Sequence, residues 1–169
     1  SLACGLAKSR DLTGGMDGGS GIRNVIAVIG DGSLSSGVAF EGLNNAAEQG
    51  GNLIIVFNDN EMSIAGDFGG MYGPLARLRA SGGTAQPNLF NAFGLDYRYV
   101  EAGNDVSALV AAFEEVRDID HPVVVHIHTL KGAGYDGEET HADRQTASTL
   151  PVSLDSPTGV HPTDNVNHS

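Results

Sequence analysis

Two short polar clusters each follow one of the apolar runs in the first half of the chain. GDG occupies residues 30–32 and NDN occupies residues 58–60. The glycines of GDG let the backbone turn sharply and let a ligand approach it closely, because glycine has no Cβ. Asp31 and Asn60 place a carboxylate and an amide oxygen at the ends of these runs. The clusters therefore supply oxygen ligands beside a turn that can admit a bound molecule.

The GDG cluster combines features that favour and oppose a phosphate group. Free N–H groups at the start of a following helix favour an anion, whereas the Asp31 carboxylate repels one. A divalent ion such as Mg²⁺ removes this conflict, because it takes oxygen ligands and bridges a carboxylate to a phosphate. Asn60 can add a neutral oxygen from the neighbouring strand end, and a nearby backbone carbonyl can complete the protein's share. The spacing thus predicts a metal-bridged site for a diphosphate.

The elements that position these clusters alternate between strands and helices. The pattern predicts strands at 24–29, 53–57, 97–100 and 123–129, and helices at 2–12, 37–49, 74–80, 88–94 and 106–116. The continuous β-branched runs are typical of strands buried on both faces, and Asp105 can cap the last helix. This order predicts an α/β fold with an open, mainly parallel sheet flanked by helices. Ligands of such sheets bind beyond the carboxyl ends of the strands, so GDG, NDN and KGAGY (131–135) are expected on one edge.

Composition excludes several classes of partner. Nine basic against 21 acidic residues give a net charge of −12, which suits neither nucleic acid nor an anionic membrane surface, since both attract clustered Lys and Arg. The longest apolar runs are too short to cross a bilayer. The single cysteine, Cys4, excludes an internal disulfide and is expected to be a small buried hydrophobe. We predict a globular, cytoplasmic protein with no nucleic-acid or membrane partner.

The combined motifs resemble those of a known enzyme family. GDG followed by NDN resembles the thiamine diphosphate signature of transketolase-like enzymes. The surrounding segments are most similar to those of the 1-deoxy-D-xylulose-5-phosphate synthase family. The similar segments are SLACGLAKSRDL, GDGSLSSGVAFEGLNNA, NDNEMSI, LARLR and HIHTLKGAGY. The resemblance covers about residues 1–135 and implies an N-terminally incomplete diphosphate-binding domain of the thiamine diphosphate-binding fold. Residues 136–169 have no clear counterpart and are expected to be a polar, disordered tail.

The resemblance implies roles for particular positions. The residues that match cofactor-binding positions of the family are Asp31, Gly32, Ser33, Asn60, Met62 and Lys131. Of these, Asp31 and Asn60 match the side-chain ligands of Mg²⁺, and Met62 matches the position that contributes a backbone carbonyl. His141 is the candidate for the family's catalytic histidine, although it comes earlier after KGAGY than in typical members.

The resemblance also implies a reaction and partners. Family members use thiamine diphosphate and Mg²⁺ to join pyruvate to glyceraldehyde 3-phosphate with loss of CO₂, and they are homodimers. The substrates expected here are therefore pyruvate and a sugar phosphate. The family's pyrimidine-binding domain, with its cofactor-activating glutamate, and its C-terminal domain are missing from this sequence. We therefore expect the isolated chain to be inactive.

Other interpretations of the same residues stay open. The chain can be a non-catalytic subunit, or a truncated remnant that only binds cofactor. A Rossmann-type dinucleotide site would also place glycines after a first strand and an acid, Asp59, after a second, but GDGSLSSG does not match G-x-G-x-x-G and Asp31 would have no role. His126 and His128 share one face of a strand and can mimic a zinc pair. Without a third ligand, packing or hydrogen bonding is the expected role of these histidines.

Overall fold

The chain alternates between strands and helices, as the sequence pattern predicts. A computed structural model describes residues 1–13, 24–61 and 69–133. The elements in these ranges are α1 (Leu2–Leu12), β1 (Ile26–Gly30), α2 (Asp31–Leu34), α3 (Gly37–Gln49), β2 (Leu53–Asp59), α4 (Tyr72–Ala80), α5 (Leu89–Ala92), β3 (Asp96–Val100), α6 (Val106–Val116) and β4 (Pro122–His128). Met62, His141 and the predicted tail at 136–169 lie outside the described residues.

The described strands form one four-stranded sheet in the order β1-β2-β4-β3. Neighbouring strands are all parallel. The carboxyl ends of all four strands therefore lie at the same edge of the sheet, where the segments after β1, β2 and β4 meet. The predicted α/β fold with an open parallel sheet flanked by helices is confirmed.

The larger hydrophobic core lies on one face of the sheet. Side chains from β2 and β4 pack there against helices α1, α3, α4 and α5. Phe57 of β2 and Phe90 of α5 are fully buried, with ring centroids 5.6 Å apart. Burying a side chain of this size contributes about 1.5–3 kcal/mol. This core fixes α4 and α5 over the carboxyl half of β2.

The opposite face is covered over only part of its width. Its core contains Ile54 and Val56 of β2, Val123 and Val125 of β4, and Val116 of α6. On β1, however, Ile26 is 54% exposed and Val28 is 74% exposed. The prediction that β1 is buried on both faces is therefore wrong. Among the described residues, the core on this face contains no residue of β1.

Local signals set the ends of several elements. Asp105 caps α6 as predicted, because its side chain accepts hydrogen bonds from the N–H groups of Ser107 and Ala108. Strand β2, in contrast, runs to Asp59 and not to Phe57, since its pairing with β4 continues to the register of Asp59 with His128. Asn60 is consequently the first residue after the strand.

Two further predictions concern the burial of Cys4 and the length of the apolar segments. Cys4 is 5% exposed and its thiol donates to the carbonyl of Gly42 across 3.4 Å, which confirms it as a small buried residue. In the ranges that the structure describes, no helix is both long and apolar enough to span a membrane.

Candidate functional site

Asp31 and Asn60 lie in contact at the carboxyl edge of the sheet. Gly30 of β1 is in register with Asn58 of β2, so the segments that follow these strands lie side by side. Asp31 is 6% exposed, and its Oδ2 accepts the N–H of Asn60 across 3.3 Å. Its Oδ1 accepts the N–H of Gly32 across 2.7 Å. The structure thus brings the Asp31 side chain to the backbone of Asn60, two residues that the sequence placed at separate strand ends.

The chemistry of this pair suits a hard cation. A buried carboxylate beside a half-buried amide offers oxygen atoms, which Mg²⁺ and Ca²⁺ prefer. Within the described ranges, no group of three or more His, Cys, Asp or Glu residues could hold a metal ion. A cation here would therefore need further oxygens, and Mg²⁺ is ordinarily bound by one or two carboxylates together with waters and substrate phosphates. The residues present fit such an ion.

The structure also describes three of the other predicted site residues, Gly32, Ser33 and Lys131. Gly32 is half-buried and Ser33 is exposed, both in the turn of α2 directly after Asp31. Lys131 is half-buried in the turn after β4. The contacts of Asp31 with Asn60 and with Gly32 are therefore the parts of the predicted site whose geometry the structure gives.

A buried polar network that the sequence did not predict lies next to Asn60. It is formed by Asp59, Arg79, His126 and Tyr97. Asp59 is 1% exposed, and its Oδ2 accepts from Nη1 of Arg79 across 2.6 Å. Nε2 of His126, which is fully buried, lies 3.0 Å from the same oxygen. The Tyr97 hydroxyl lies 2.7 Å from Nδ1 of His126. The Asp59 carboxylate thus joins β2 to helix α4 and to β4, and His126 extends the connection to β3.

The protonation states of this network follow from its surroundings. Burial lowers the pKa of His126 and outweighs the opposing effect of Asp59. A neutral imidazole can donate through Nε2–H to Asp59 and accept the Tyr97 O–H at Nδ1, so each polar atom is satisfied. Burial alone would raise the pKa of Asp59, but hydrogen bonds from His126 and Arg79 outweigh it and lower that pKa. Asp59 is therefore an ionised carboxylate whose charge is balanced by Arg79.

This network removes the residue that a dinucleotide site would need. In the Rossmann interpretation, Asp59 would bind a ribose hydroxyl. Its side chain is instead almost fully buried and occupied by Arg79 and His126. The structure therefore gives no support to that alternative.

A second, more exposed polar group borders Asn60. His128 lies 2.8 Å from Glu61 through Nε2 and 3.3 Å from Glu101 through Nδ1. These side chains line an open pocket of about 400 Å³ at the carboxyl edge, together with Asn60 and the start of the segment after β4. His126 and His128 both engage carboxylates, as expected for hydrogen-bonding histidines.

The register between strands explains why sequence reasoning missed Asp59. Asp59 is opposite His128 in the sheet, and it reaches His126 only diagonally. The apolar run of β2 ends at Phe57, so the pattern placed Asp59 in a loop. The available signal was the pair of histidines in β4, since a buried histidine requires a hydrogen-bonding partner on a neighbouring element.

The chain is similar to members of one enzyme family over most of its length. A family model described as 1-deoxy-D-xylulose-5-phosphate synthase matches residues 1–87 and 80–129. The 1-deoxy-D-xylulose-5-phosphate synthase of Desulforudis audaxviator is 34% identical over 180 aligned residues, covering 85% of this chain and 27% of that protein. The 1-deoxy-D-xylulose-5-phosphate synthase 1 of Geobacter sulfurreducens is 37% identical over 177 residues, covering 83% and 27%. The chain thus spans 27% of the length of each relative.

Solved structures share the same architecture. A transketolase from Campylobacter jejuni matches with a TM-score of 0.57 and 23% identity, over 79% of this chain and 20% of that one. A transketolase from Pichia stipitis matches with a TM-score of 0.55 and 21% identity, over 75% and 18%. At these identities the likeness shows that the fold is shared.

Proposed function

Because the chain belongs to the 1-deoxy-D-xylulose-5-phosphate synthase family, we propose that it is the diphosphate- and Mg²⁺-binding part of a thiamine diphosphate-dependent transferase. The observation that supports this most directly is the contact between the Asp31 carboxylate and the N–H of Asn60. It places the residue with the charged oxygen ligand beside the residue with the neutral one, at the edge where parallel sheets bind their ligands. A second line of support is that Asp31 and Asn60 match the positions of the Mg²⁺ side-chain ligands in the family.

Within this proposal, the chain's own residues hold the diphosphate end of the cofactor. Asp31 and Asn60 would hold Mg²⁺ through their side chains, and Met62 would add a backbone carbonyl. Oδ1 of Asp31 presently accepts the Gly32 N–H. A cation at that carboxylate would compete for this oxygen and free the N–H of Gly32 for a phosphate oxygen. The backbone of Ser33 and the side chain of Lys131 would contact the cofactor nearby.

The reaction proposed for the complete protein requires more than this chain. Thiamine diphosphate, when bound, supplies the carbanion chemistry that joins pyruvate to glyceraldehyde 3-phosphate, giving 1-deoxy-D-xylulose 5-phosphate and CO₂. We propose that a pyrimidine-binding domain and a C-terminal domain complete the site in a cytoplasmic homodimer. His141 is proposed as a catalytic residue. Because the chain spans 27% of its relatives' length, we expect no turnover from it alone.

Calorimetry tests the binding half of this proposal. Thiamine diphosphate is titrated into the chain with excess MgCl₂ and, in parallel, with EDTA. We expect binding only when the metal is present, because the Asp31 carboxylate repels an unbridged diphosphate. Equal affinity in the two buffers would contradict the metal-bridged site.

A pyruvate decarboxylation assay tests the enzymatic half. The chain is assayed alone and with the pyrimidine-binding and C-terminal domains of a family member supplied in trans. Activity that depends on the added domains supports the proposal. Turnover by the chain alone would show that the cofactor-activating group lies within these 169 residues.

A further inference from the structure

The side chain of Asp59 holds the turn that contains Asn60. Oδ1 of Asp59 accepts the N–H of Glu61 across 3.3 Å, so a single side chain spans the turn. Glu61 has φ of 59°, in the left-handed region that residues with a Cβ rarely occupy. Such a conformation persists where surrounding contacts impose it. The Asp59 carboxylate supplies one of these contacts.

Arg79 binds both residues that flank Asn60. Its Nη1 lies 2.6 Å from Oδ2 of Asp59, and its Nη2 lies 3.5 Å from Oε2 of Glu61. The side chain of Arg79 is 14% exposed and that of Asp59 is 1% exposed, so their ion pair is largely shielded from water, whereas the Glu61 side chain is 48% exposed. Arg79 belongs to α4, which the core fixes against the sheet. The helix is thereby coupled to the turn that contains Asn60.

His126 and the main chain directly after β4 hold Asp59 from the other side. Nε2 of His126 lies 3.0 Å from Oδ2, and the carbonyl of Asp59 accepts the N–H of Thr129 across 2.9 Å. The carboxylate therefore accepts from Arg79, His126 and the Glu61 N–H together. Only a group with two acceptor oxygens can satisfy all three donors.

We propose that Asp59, held by Arg79 and His126, is a positioning residue that fixes the turn at Asn60 and so sets the affinity of the Asp31–Asn60 pair for a divalent cation. This inference rests on the proposed function, and Asp59 itself does not touch the ligand. It acts through the conformation of Asn60, whose N–H lies 3.3 Å from Oδ2 of Asp31. Partners that orient metal ligands typically change metal affinity by about 10- to 100-fold when they are removed.

Two pairs of variants separate positioning from general destabilisation. Asp59→Ala removes the carboxylate, and Asn52→Ala is its control, because Asn52 is a fully buried polar residue that precedes the other end of β2. Arg79→Met removes the guanidinium group that binds Asp59 and Glu61. Arg77→Met is its control, because Arg77 is an exposed arginine in the same helix. The arginine pair decides the question if Asp59→Ala fails to fold.

The first measurement uses the protein without metal. Amide hydrogen exchange is followed by NMR at Asn60 and Glu61 in each variant. We expect Asp59→Ala and Arg79→Met to lose protection selectively at these two amides, whereas the controls keep it. Unchanged protection in folded Asp59→Ala, or in Arg79→Met if the former does not fold, would overturn the inference whatever the ligand.

The second measurement adds Mn²⁺, with thiamine diphosphate present, and follows bound metal by electron paramagnetic resonance. We expect Asp59→Ala and Arg79→Met to weaken Mn²⁺ binding by about 10- to 100-fold, and the controls to stay within about twofold of the unmodified chain. Equal affinity in variants and controls would overturn the inference. An unmodified chain that binds no Mn²⁺ would count against the proposed function instead, and the exchange data alone would then decide whether Asp59 fixes the turn.

Discussion

The N–H of Asn60 lies 3.3 Å from Oδ2 of Asp31, across the boundary between the ends of β1 and β2. Two residues far apart in the sequence therefore share one point at the edge of the sheet. A ligand held by the Asp31 carboxylate therefore lies beside the turn that contains Asn60. Variants of these two residues can thus be compared directly for their effect on the same bound ion.

Asp31→Ala should weaken thiamine diphosphate binding more than Asn60→Ala does. A carboxylate attracts Mg²⁺ through a full charge and an amide only through a dipole, so the charged ligand contributes more to the affinity. We expect a loss of at least about 100-fold for Asp31→Ala and about tenfold for Asn60→Ala. Calorimetry with MgCl₂ measures both.

The matched control for this ranking is Asp118→Ala. Its carboxylate is 66% exposed and pairs with Arg117 beyond the end of α6. The variant changes the net charge by the same amount as Asp31→Ala and should leave cofactor affinity unchanged. A larger loss for Asn60→Ala than for Asp31→Ala, with both variants folded, would refute the ranking.

Stability should fall as the pH drops below 6.5, in part because of His126. Burial lowers the pKa of His126 in the folded chain below its ordinary value of 6.5. Between the two pKa values the unfolded chain binds a proton that the folded chain does not, so stability decreases as pH falls through this interval. One group contributes at most about 1.4 kcal/mol per pH unit. Urea denaturation at about pH 7.5 and about pH 5.5 measures the change.

His126→Gln isolates this contribution. Glutamine can still donate to Asp59 but does not titrate, so the variant should lose less stability on acidification than the unmodified chain. His121 acts in the opposite direction, because hydrogen bonds to Asp120 and Asp96 raise its pKa and its stabilisation is lost as pH rises. It is present in both proteins and cancels in the comparison. Identical pH dependence of the two proteins would show that His126 does not contribute.

Gly103→Ala should destabilise the chain by about 1–3 kcal/mol. Gly103 is buried, and its N–H donates to the carbonyl of His128 across 2.9 Å. A Cβ at this position would collide with that same carbonyl, so one of the two backbones would have to move. Thermal or urea unfolding measures the loss.

Gly5→Ala is the contrasting substitution. Gly5 is exposed within α1, and apart from its chain neighbours and the helix's own backbone no atom lies within 4 Å of the position its Cβ would occupy. Alanine in a helix interior is favoured over glycine by about 0.5–1 kcal/mol. A stabilised Gly5→Ala beside a destabilised Gly103→Ala is the expected result, and equal effects would contradict the packing described around Gly103.

The thiol of Cys4 should react slowly in the folded chain. Cys4 is 5% exposed, and its thiol donates a hydrogen bond to the carbonyl of Gly42. Its reaction is slow because a thiol reagent needs access to the sulfur. We expect slow labelling by a disulfide reagent in buffer and rapid, complete labelling in urea. Equal rates would show that α1 separates readily from α3.

The general position of the site could be predicted because it depends on topology. Continuous β-branched runs alternating with helices predict parallel strands, and parallel strands end at one edge. Asp31 and Asn60 were therefore expected to converge without knowledge of any contact. The cap at Asp105 was predictable for a different reason, since it depends only on neighbouring residues.

Features that depend on tertiary register could not be predicted. The runs of β1 and β2 look alike, yet Val28 is 74% exposed and Val56 is 4% exposed. The difference arises from where α6 packs, which neither run encodes. The contacts of Asp59 likewise depend on the register of β2 with β4 and on the placement of Arg79 by a separate helix.

The uncovered side of β1 has a practical consequence for work with the purified chain. Among the described strands β1 pairs only with β2, so it is an edge strand, and Ile26 and Val28 project from it into solvent. Apolar side chains along an open strand promote edge-to-edge association between molecules. Binding experiments should therefore be run at low protein concentration, with light scattering to detect aggregates, and replacing Val28 by lysine should improve solubility.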